Sequence, residues 1–432
     1  MKKLFIIFFI FLLLGAQVCA AESSNSVAEW MEKGRALFSS GNYQEGIDAF
    51  TKAIELNPQS AEAYSGRGYI YGKLGNFKQA ISDYSKVIEL NPKQADAYYR
   101  LGLAYNNLRN YNQAINDYNK AIELNPQMAQ AYSGRGLAYR QLNNDNQAIA
   151  NYDKAIELNP KDADSYFYRG FVYGKLSNYS QAINDYNKVI GLNPKQADAY
   201  FCRGLAYNNL RNYNQAINDY NKTIELNPQF ADAYFFRGIA HSILGYLDRA
   251  INDYNKAIEF NPQDADAFYR RGLVYNNLRN YNQAINDYNK AIELNPKLAT
   301  AYFFRGFAYS LLRENNQAIN DYNKAIELNP QDADAFFYRG LAHSILGNNN
   351  QAIDDYNKAI ELNPQDADVY NRAYYNRACS FALQNNTSQA CTSLQLAIER
   401  GFNNWKQIKE DKDLDNIRNS SCFIELLREP GK

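Results

Sequence analysis

Proline recurs in this sequence with a fixed period, and that period constrains the fold more than any other feature. Ten prolines follow one another in steps of 34 residues, and an eleventh, Pro430, lies outside the series. The ten are Pro58, Pro92, Pro126, Pro160, Pro194, Pro228, Pro262, Pro296, Pro330 and Pro364. A period of this length indicates stacked supersecondary units. We therefore interpret the 432 residues as one array and not as a set of globular domains.

Each unit of 34 residues is predicted to be two helices joined by a short turn. In the unit that begins at Ala95, two stretches with helical periodicity flank residues 108–110, and Asn125-Pro126 closes the second stretch. Proline cannot donate a hydrogen bond into a helix and disfavours helical geometry in the residue before it, so the second helix ends there. The residues assigned to packing between the two helices or to the stop are Gly102, Tyr105, Ala114, Tyr118, Ala121 and Pro126.

Two longer motifs recur in phase with the period. The stretch NNLRNYNQAINDYNK occurs unchanged at residues 106–120, 208–222 and 276–290, and YGKL begins at both Tyr71 and Tyr173. We interpret the recurrences as duplication of blocks of three repeats. The resulting periodic surface is expected to bind something extended or itself repeated, more readily than one compact small molecule.

These residues resemble the tetratricopeptide repeat (TPR), whose 34-residue pattern runs aromatic, Gly, Tyr, Ala, aromatic, Ala, Pro. In the unit from Ala265 the matching residues are Phe268, Gly272, Tyr275, Ala284, Tyr288, Ala291 and Pro296. The resemblance covers residues 27 to about 400 and implies an all-α fold, a right-handed superhelical α-solenoid of helix-turn-helix TPR repeats. Ten repeats are predicted at 27–60, 61–94, 95–128, 129–162, 163–196, 197–230, 231–264, 265–298, 299–332 and 333–366, a divergent eleventh at 371–401, and a C-terminal cap at 402–432.

One position departs from the TPR pattern in a regular way. The residue before the glycine of the pattern is usually Leu in the family, whereas eight units here have Arg, and seven of those eight have Asp sixteen residues later. Arg271 and Asp287 are one such pair. We predict a structural salt bridge between the two helices of a repeat; the alternative is that the two groups are independently solvated on the surface.

The N-terminus has the pattern of a secretory signal peptide over residues 1–21. Lys2 and Lys3 precede an apolar run from Leu4 to Leu14, and small residues follow. The run is shorter than the roughly 20 residues that span a membrane, so cleavage is expected over an uncleaved anchor. A lipoprotein at Cys19 is a further alternative. The protein is therefore predicted to be exported, to the periplasm or outside the cell, and in contact with a membrane only through this segment if it is uncleaved.

Export makes disulfides possible for the four cysteines that follow the signal segment. Cys379 and Cys391 fall on the two helices of one predicted hairpin, so they could pair, or both could be buried thiols. The sequence leaves this open.

Charge and motif content argue against several functions. Lys plus Arg equals Asp plus Glu at 46 each, so no global field favours nucleic acid as a partner. Motifs for phosphate binding, metalloproteases or serine hydrolases are absent, as are metal-spaced cysteines. His241 and His343 each replace a packing tyrosine and are interpreted as core substitutions. We predict a protein that is not an enzyme and uses no metal or other cofactor.

In TPR proteins ligands often lie against the first helices of the repeats, and the resemblance implies the same here. Positions 5, 9, 12 and 13 of each repeat then form an aromatic and Asn-rich groove. The predicted groove residues are Tyr99, Leu103, Asn106, Phe167, Phe201, Asn208, Phe235, Tyr269, Asn276, Phe303 and Phe337. The alternative for each ring is packing against the neighbouring first helix. A contiguous apolar concavity usually marks an interaction site, which favours exposure of the stripe as a whole.

The sequence thus predicts a non-catalytic scaffold in the bacterial envelope or outside the cell. It would bind extended segments of a protein or peptide partner, whose identity the sequence does not give, through aromatic anchors and Asn side chains. The alternative is glycan or cell-wall binding by the same groove, because aromatic faces stack on sugars and Asn binds hydroxyls.

Overall fold

The computed structural model of this chain describes residues 26–362 and 367–428. Every regular element in these residues is a helix. The predicted signal peptide and Pro364 lie outside the described residues. The chain divides into two compact units, Met1–Leu210 and Arg211–Lys432.

The first unit contains eleven α-helices within its described part. They are α1 (Val27–Ser39), α2 (Tyr43–Leu56), α3 (Ala61–Lys73), α4 (Phe77–Leu90), α5 (Ala95–Asn107), α6 (Tyr111–Leu124), α7 (Ala129–Gln141), α8 (Asp145–Leu158), α9 (Ala163–Lys175), α10 (Tyr179–Leu192) and α11 (Ala197–Asn209).

The second unit contains thirteen α-helices and one 3₁₀ helix among the residues described there. They are α12 (Tyr213–Leu226), α13 (Ala231–Ile243), α14 (Leu247–Phe260), α15 (Ala265–Asn277), α16 (Tyr281–Leu294), α17 (Ala299–Leu311), α18 (Asn315–Leu328), α19 (Ala333–Ile345), α20 (Asn349–Leu362), α21 (Ala367–Leu383), α22 (Thr387–Glu399), α23 (Trp405–Glu410), the 3₁₀ helix Lys412–Ile417 and α24 (Ser421–Arg428).

Through α22, odd-numbered helices are the first helices of repeats and even-numbered helices are the second. In every repeat that lies within one unit, the two helices pack against each other, and the second helix packs against the first helix of the next repeat. First helices of successive repeats also contact one another, as α5 and α7 do. Within the described part of each unit, second helices of successive repeats contact one another less than first helices do. The first helices therefore lie on the inner side of the curve in each unit, and we call the surface they form the inner face.

The turn inside each hairpin requires one residue with a positive φ angle. In the described hairpins glycine meets this need four times, but Arg109 and Arg279 adopt the same conformation, each with a φ of 60°. The residues concerned are Gly41, Gly75, Arg109, Asn143, Ser177, Arg211, Gly245, Arg279, Arg313, Gly347 and Asn385. At the other end of the repeat, the side chain of Asn125 accepts a hydrogen bond from the backbone N–H of Gln127 at 3.1 Å, which fixes the turn around Pro126.

The tyrosine at position 24 is the central core residue of a typical repeat. Tyr118 is fully buried, as are Ala114 and Ala121 beside it. A Cβ atom on Gly102 would lie 2.8 Å from the Tyr118 ring, and one on Gly134 of the next repeat would lie 2.7 Å from it. The carbonyl oxygen of Ala114 on the partner helix is 3.2 Å from the Cβ position of Gly102. The glycine therefore makes room chiefly for the tyrosine ring.

The predicted pairing of Arg and Asp within a repeat is present. In repeat 8, Arg271 donates from Nε and Nη2 to the two carboxylate oxygens of Asp287 at 2.8 and 2.6 Å. Asp287 is buried, so the pair is not an independently solvated surface contact. Burial raises the pKa of Asp287, and the hydrogen bonds from Arg271 oppose that rise.

The same guanidinium has a third partner that the sequence did not indicate. Arg271 Nη1 donates to Asn255 Oδ1 at 2.6 Å, and Asn255 belongs to the second helix of the preceding repeat. The guanidinium also lies over the ring of Phe268, 5.5 Å from the centroid. We call this set of contacts the arginine bridge. Equivalent bonds to the preceding repeat are made by Arg67, Arg135, Arg169, Arg203, Arg237, Arg305, Arg339 and Arg377.

Repeat 3 lacks the bridge because Leu101 occupies the arginine position. Leu101 is buried, and Asp117, sixteen residues later, has no hydrogen-bond partner for Oδ2 among the described residues. Only 7% of the surface of Asp117 is exposed. Burial without a compensating cation raises the pKa of Asp117 to about 7. The junction between repeats 2 and 3 is therefore held without the guanidinium that the bridged junctions have.

The C-terminal segment differs from the predicted repeat boundary, and it contains a disulfide that the sequence did not indicate. Helix α21 begins at Ala367, four residues before the predicted start of the eleventh repeat, so the four extra residues are absorbed as one more helical turn. A disulfide joins Cys391 of α22 to Cys422 of α24, and Cys379 is a buried free thiol. The pairing of Cys379 with Cys391 considered from the sequence is thus not formed.

The segment after α22 packs on the last hairpin. Its buried side chains join one core with residues of α21 and α22, and Trp405 and Leu426 pack against this core from the edge. The buried members from the segment are Ile408, Leu414, Ile417 and Phe423. Since a terminal repeat has no further neighbour, these side chains cover an apolar face that would otherwise be exposed.

Candidate functional site

The predicted groove residues lie on the first helices, but they are divided between the two units. The first unit carries Tyr99, Leu103, Asn106, Phe167, Phe201 and Asn208, and the second carries Phe235, Tyr269, Asn276, Phe303 and Phe337. All of them except Phe337 are half-buried. The inner face of each unit is therefore partly open at these positions.

The aromatic residues at position 5 have two roles at once. The rings of Tyr99, Phe235 and Phe303 lie close to the buried tyrosine of their own repeat, with centroid distances of 6.1, 6.1 and 5.8 Å. The next repeat covers part of two of these rings: the Arg270 guanidinium lies 5.6 Å from Phe235, and the Tyr338 ring lies 5.7 Å from Phe303. One side of the rings thus contributes to packing, and the rest faces solvent.

The assignment of Phe337 to the groove is wrong. Only 2% of its surface is exposed, so it cannot contact a ligand on the inner face. The guanidinium of Arg372 lies 5.3 Å from the Phe337 ring, and Ala373 packs into the same core cluster. Both residues belong to α21, the first helix of the divergent eleventh repeat, which covers Phe337 more fully than the regular repeats cover its equivalents.

The asparagines at positions 12 and 13 differ in what they offer to a ligand. At position 12, the side-chain oxygens of Asn106, Asn208 and Asn276 are covered and have no hydrogen-bond partner in the described part of the chain. At position 13, Asn107 donates its amide N–H to the backbone carbonyl of Leu103 at 2.8 Å. The oxygens at position 12 are not accessible, so hydrogen bonds from these side chains to a partner would use the amide nitrogen as donor.

A partly enclosed opening on the inner face lies between repeats 2 and 3. It is a cavity of 250 Å³ between α3, α4 and α5. Its lining residues are Tyr69, Gly72, Lys73, Phe77, Ala80, Tyr84, Arg100, Leu103, Ala104 and Asn107. Of the predicted groove residues, only Leu103 belongs to it. A second opening of 250 Å³ adjoins it toward repeat 1 and shares Tyr69 and Arg100.

Gly72 is the residue that leaves this cavity open. It occupies position 12, where repeat 3 has Asn106 and repeat 4 has Arg140. A Cβ atom on Gly72 would have no other atom within 4 Å, so nothing fills the space in front of it. Gly174, at the same position of repeat 5, also faces open space. The YGKL motif gave a signal for this feature, because glycine interrupts a row of larger residues.

Two cations lie at the rim of the cavity and differ in their partners. The Arg100 guanidinium lies over the Tyr69 ring, 4.7 Å from its centroid, and donates to Asp96 at 2.6 Å. Lys73 is exposed, lies 5.9 Å from the same ring, and has no carboxylate partner among the residues that the structure describes. Its equivalent in repeat 5, Lys175, instead donates to Asn143 and Asp145 at 3.0 and 3.1 Å.

The two histidines are packing residues in unlike surroundings. His241 is buried, and its Nδ1 lies 2.8 Å from Asp253, the carboxylate that also accepts hydrogen bonds from Arg237. His343 is half-buried, and desolvation lowers its pKa. They lie at the same position of different repeats, so they do not assemble one site.

Metal-binding clusters and membrane-spanning helices are both missing from residues 26–362 and 367–428. No group of three or more His, Cys, Asp or Glu side chains there is arranged to hold a metal ion. Among the same residues, none of the helices combines the length and the apolar character needed to cross a membrane.

Family comparisons agree with the repeat pattern. The family described as TPR repeat matches residues 34–75, 136–177, 175–210, 243–278 and 314–344. The family described as tetratricopeptide repeat matches 61–94, 95–128, 197–230, 265–298 and 333–366, and a further tetratricopeptide repeat family matches 372–400. Together these matches cover most of the chain.

Individual relatives are more distant. The chain is 33% identical over 57 residues to a chloroplastic protein of Arabidopsis thaliana, and this match covers 13% of the chain and 17% of the relative's length. Among solved structures, YrrB, described as a TPR protein with an unusual peptide-binding site, is 29% identical, with 43% of this chain and 95% of that chain covered and a TM-score of 0.39. A tetratricopeptide repeat protein from Parabacteroides merdae is 23% identical, with 58% and 99% covered and a TM-score of 0.44.

Proposed function

The chain belongs to the tetratricopeptide repeat family, whose arrays are interaction scaffolds and typically not catalysts, and we propose that this one binds extended protein segments outside the cytoplasm. The binding surface is the inner face of its repeats. The observation that carries the proposal is the partial exposure of the position-5 rings on first helices that contact one another.

The chemistry of this surface suits an extended polypeptide. Phe235, Tyr269 and Phe303 provide apolar contact area. The side of each ring that faces the core already packs against a buried tyrosine, so little side-chain entropy is lost on binding. Asn106 and Asn276 can donate hydrogen bonds to the carbonyl groups of an extended backbone. Because such rings and donors recur once per repeat, they can contact a ligand that extends along several repeats.

The disulfide supports a location outside the cytoplasm. Cys391 and Cys422 are joined, and disulfides persist in oxidising compartments such as the periplasm and the extracellular space. The N-terminal segment with signal-peptide character points the same way. We therefore place the scaffold in the envelope or outside the cell as part of the proposal.

Affinity capture from envelope extract tests the proposal. The mature chain is compared with a Phe235→Ala, Tyr269→Ala double variant and with a control double variant, Asn252→Ala with Asn286→Ala, on the exposed side of second helices. We expect a protein that is enriched by the wild type and the control but not by the inner-face variant, with all three chains folded by circular dichroism.

Two other outcomes would count against the proposal. Equal capture by all three chains would remove the inner-face assignment. Retention on peptidoglycan or polysaccharide without protein enrichment would favour the glycan alternative.

A further inference from the structure

The cavity between repeats 2 and 3 is a recess of the inner face beside Gly72. At 250 Å³ it is smaller than the roughly 300–1,000 Å³ of pockets that hold small molecules or cofactors. Its floor is apolar, since Ala80 and Ala104 are buried and Leu103 lines the wall. Its size and lining fit one apolar side chain.

Charge at the rim restricts what can accompany that side chain. Lys73 is the only rim cation without a carboxylate partner in the part of the chain that the structure describes, whereas Arg100, which also lines the cavity, is paired with Asp96. A residue seated in the cavity would place its sequence neighbours close to Lys73. A carboxylate there would gain a charge-assisted hydrogen bond, and a second cation would be repelled.

We propose that this cavity, lined by Tyr69, Gly72, Lys73 and Leu103, binds an aromatic or large aliphatic side chain of a partner segment that has an acidic residue next to it. This rests on the proposed function and adds a specificity site to it. The equivalent place in repeat 5 lacks the free cation, because Lys175 is engaged by Asn143 and Asp145. Repeats 2 and 3 therefore recognise a sequence feature of the ligand that the equivalent repeats do not.

Fluorescence anisotropy with short labelled peptides tests the proposal directly. The probe is Gly-Ser-Gly-Phe-Asp-Gly-Ser-Gly, and the matched peptides have Phe-Lys or Ala-Asp at the centre. The mature full-length chain should bind the Phe-Asp peptide at least tenfold more tightly than either matched peptide. The variant Gly72→Leu fills the cavity from its wall, and it should weaken binding of the Phe-Asp peptide tenfold or more. A Cβ atom at Gly72 would meet no neighbouring group within 4 Å, and circular dichroism of the variant checks that it is folded.

Repeat 5 provides the controls. Gly174→Leu alters the equivalent glycine and should leave the affinity unchanged, as should Lys175→Gln. Lys73→Gln should abolish the preference for Phe-Asp over Phe-Lys while retaining the preference over Ala-Asp. No saturable binding of the Phe-Asp peptide by the wild type, or equal affinity of the wild type and Gly72→Leu, would overturn the proposal.

The result separates this proposal from the scaffold function. Loss of envelope-protein capture by the Phe235→Ala, Tyr269→Ala variant, together with unchanged peptide affinity in Gly72→Leu, would keep the scaffold and remove the cavity site. Tight Phe-Asp binding that depends on Gly72, with no protein captured from the envelope, would keep the cavity site and remove the proposed scaffold.

Discussion

Repeats 3 and 8 share the stretch NNLRNYNQAINDYNK without a single difference, yet the buried aspartate within it has different surroundings in the two places. In repeat 8, Arg271 holds Asp287 and reaches back to Asn255. In repeat 3, Leu101 replaces that arginine and Asp117 is left without a cation in the described part of the chain. The first helices differ at three positions, and only the exchange of Leu101 for Arg271 changes a charge. An identical second helix thus has different electrostatics because of that one exchange. The pair is a natural substitution experiment on how a repeat is held in the array.

The largest effect is expected from converting repeat 8 into the repeat 3 arrangement. Arg271→Leu leaves a buried carboxylate unpaired and removes the hydrogen bond to Asn255. The free energy of local opening should fall by about 3–5 kcal/mol, as for other broken buried ion pairs. Hydrogen exchange of the α16 amides measures this directly, without assuming that the whole array unfolds in one step.

Arg270→Leu is the matched control for that prediction. Arg270 neighbours the bridge and stacks on Phe235, whereas the hydrogen bonds to Asp287 come from Arg271. Its loss should lower protection of α16 by less than about 1 kcal/mol, as expected for a partly exposed cation–π contact. Equal loss of protection in the two variants would show that the bridge adds nothing specific.

The same substitution at the two aspartates should change local stability in opposite directions. At pH 8 Asp117 is ionised without a partner, so Asp117→Asn should stabilise α6 by about 2–4 kcal/mol, given a pKa raised to about 7 from an ordinary value near 4. Asp287→Asn should destabilise α16, since it weakens the bridge to Arg271. Exchange protection of α6 and α16 in each variant is the measurement. A loss of protection at both sites would contradict the view that repeat 3 is destabilised by its charge.

In the wild-type chain, the difference between Asp117 and Asp287 should appear as a different pH dependence of exchange protection in α6 and α16. Because the folded pKa of Asp117 is raised, its protonated form contributes stability at low pH, and that contribution is lost as pH rises toward about 7. Protection of α6 should decrease by about 2 kcal/mol between pH 5.5 and 7.5, after correction for intrinsic exchange rates. The decrease in α16 should be smaller because Arg271 favours ionised Asp287. Asp117→Asn should remove the dependence in α6.

The smallest expected effect is one that the two repeats have in common. Arg109 and Arg279 both occupy the left-handed turn position, which disfavours residues other than glycine. Arg109→Gly and Arg279→Gly should each stabilise the local hairpin by about 0.5–1 kcal/mol, the steric relief being partly offset by the flexibility of glycine in the unfolded chain. Thermal melts of both variants test this. Unequal gains would mean that the repeats differ in more than the bridge.

Most of the fold could be predicted from the sequence because the repeat is specified locally. Proline, the turn and the apolar spacing each act within one repeat, so the hairpins could be predicted from 34 residues. The pairing of Arg271 with Asp287 could be predicted for the same reason. The contact with Asn255 could not, since it depends on how one hairpin stacks on the next.

Two features near the C-terminus escaped prediction for a related reason. Cys391 pairs with Cys422 because α24 returns across α22, a path that the spacing of Cys379 and Cys391 within one hairpin could not indicate. Phe337 is covered because α21 differs from a regular first helix. The cavity at Gly72 escaped prediction because the groove was assigned from the large side chains of the inner face, and the informative residue there is the smallest.

The arginine bridge also favours assembly of the array in order from its N-terminus. Arg271 binds a residue of its own repeat and one of the repeat before it, and the equivalent arginines repeat this polarity. A chain that leaves the ribosome or a translocation channel N-terminus first can therefore complete each bridge as soon as that repeat emerges, because the upstream partner is already in place. Formation of the bridge in a nascent repeat therefore does not require the repeats downstream of it. Among the residues that the structure describes, the junction between repeats 2 and 3 is the one that would close without this contact.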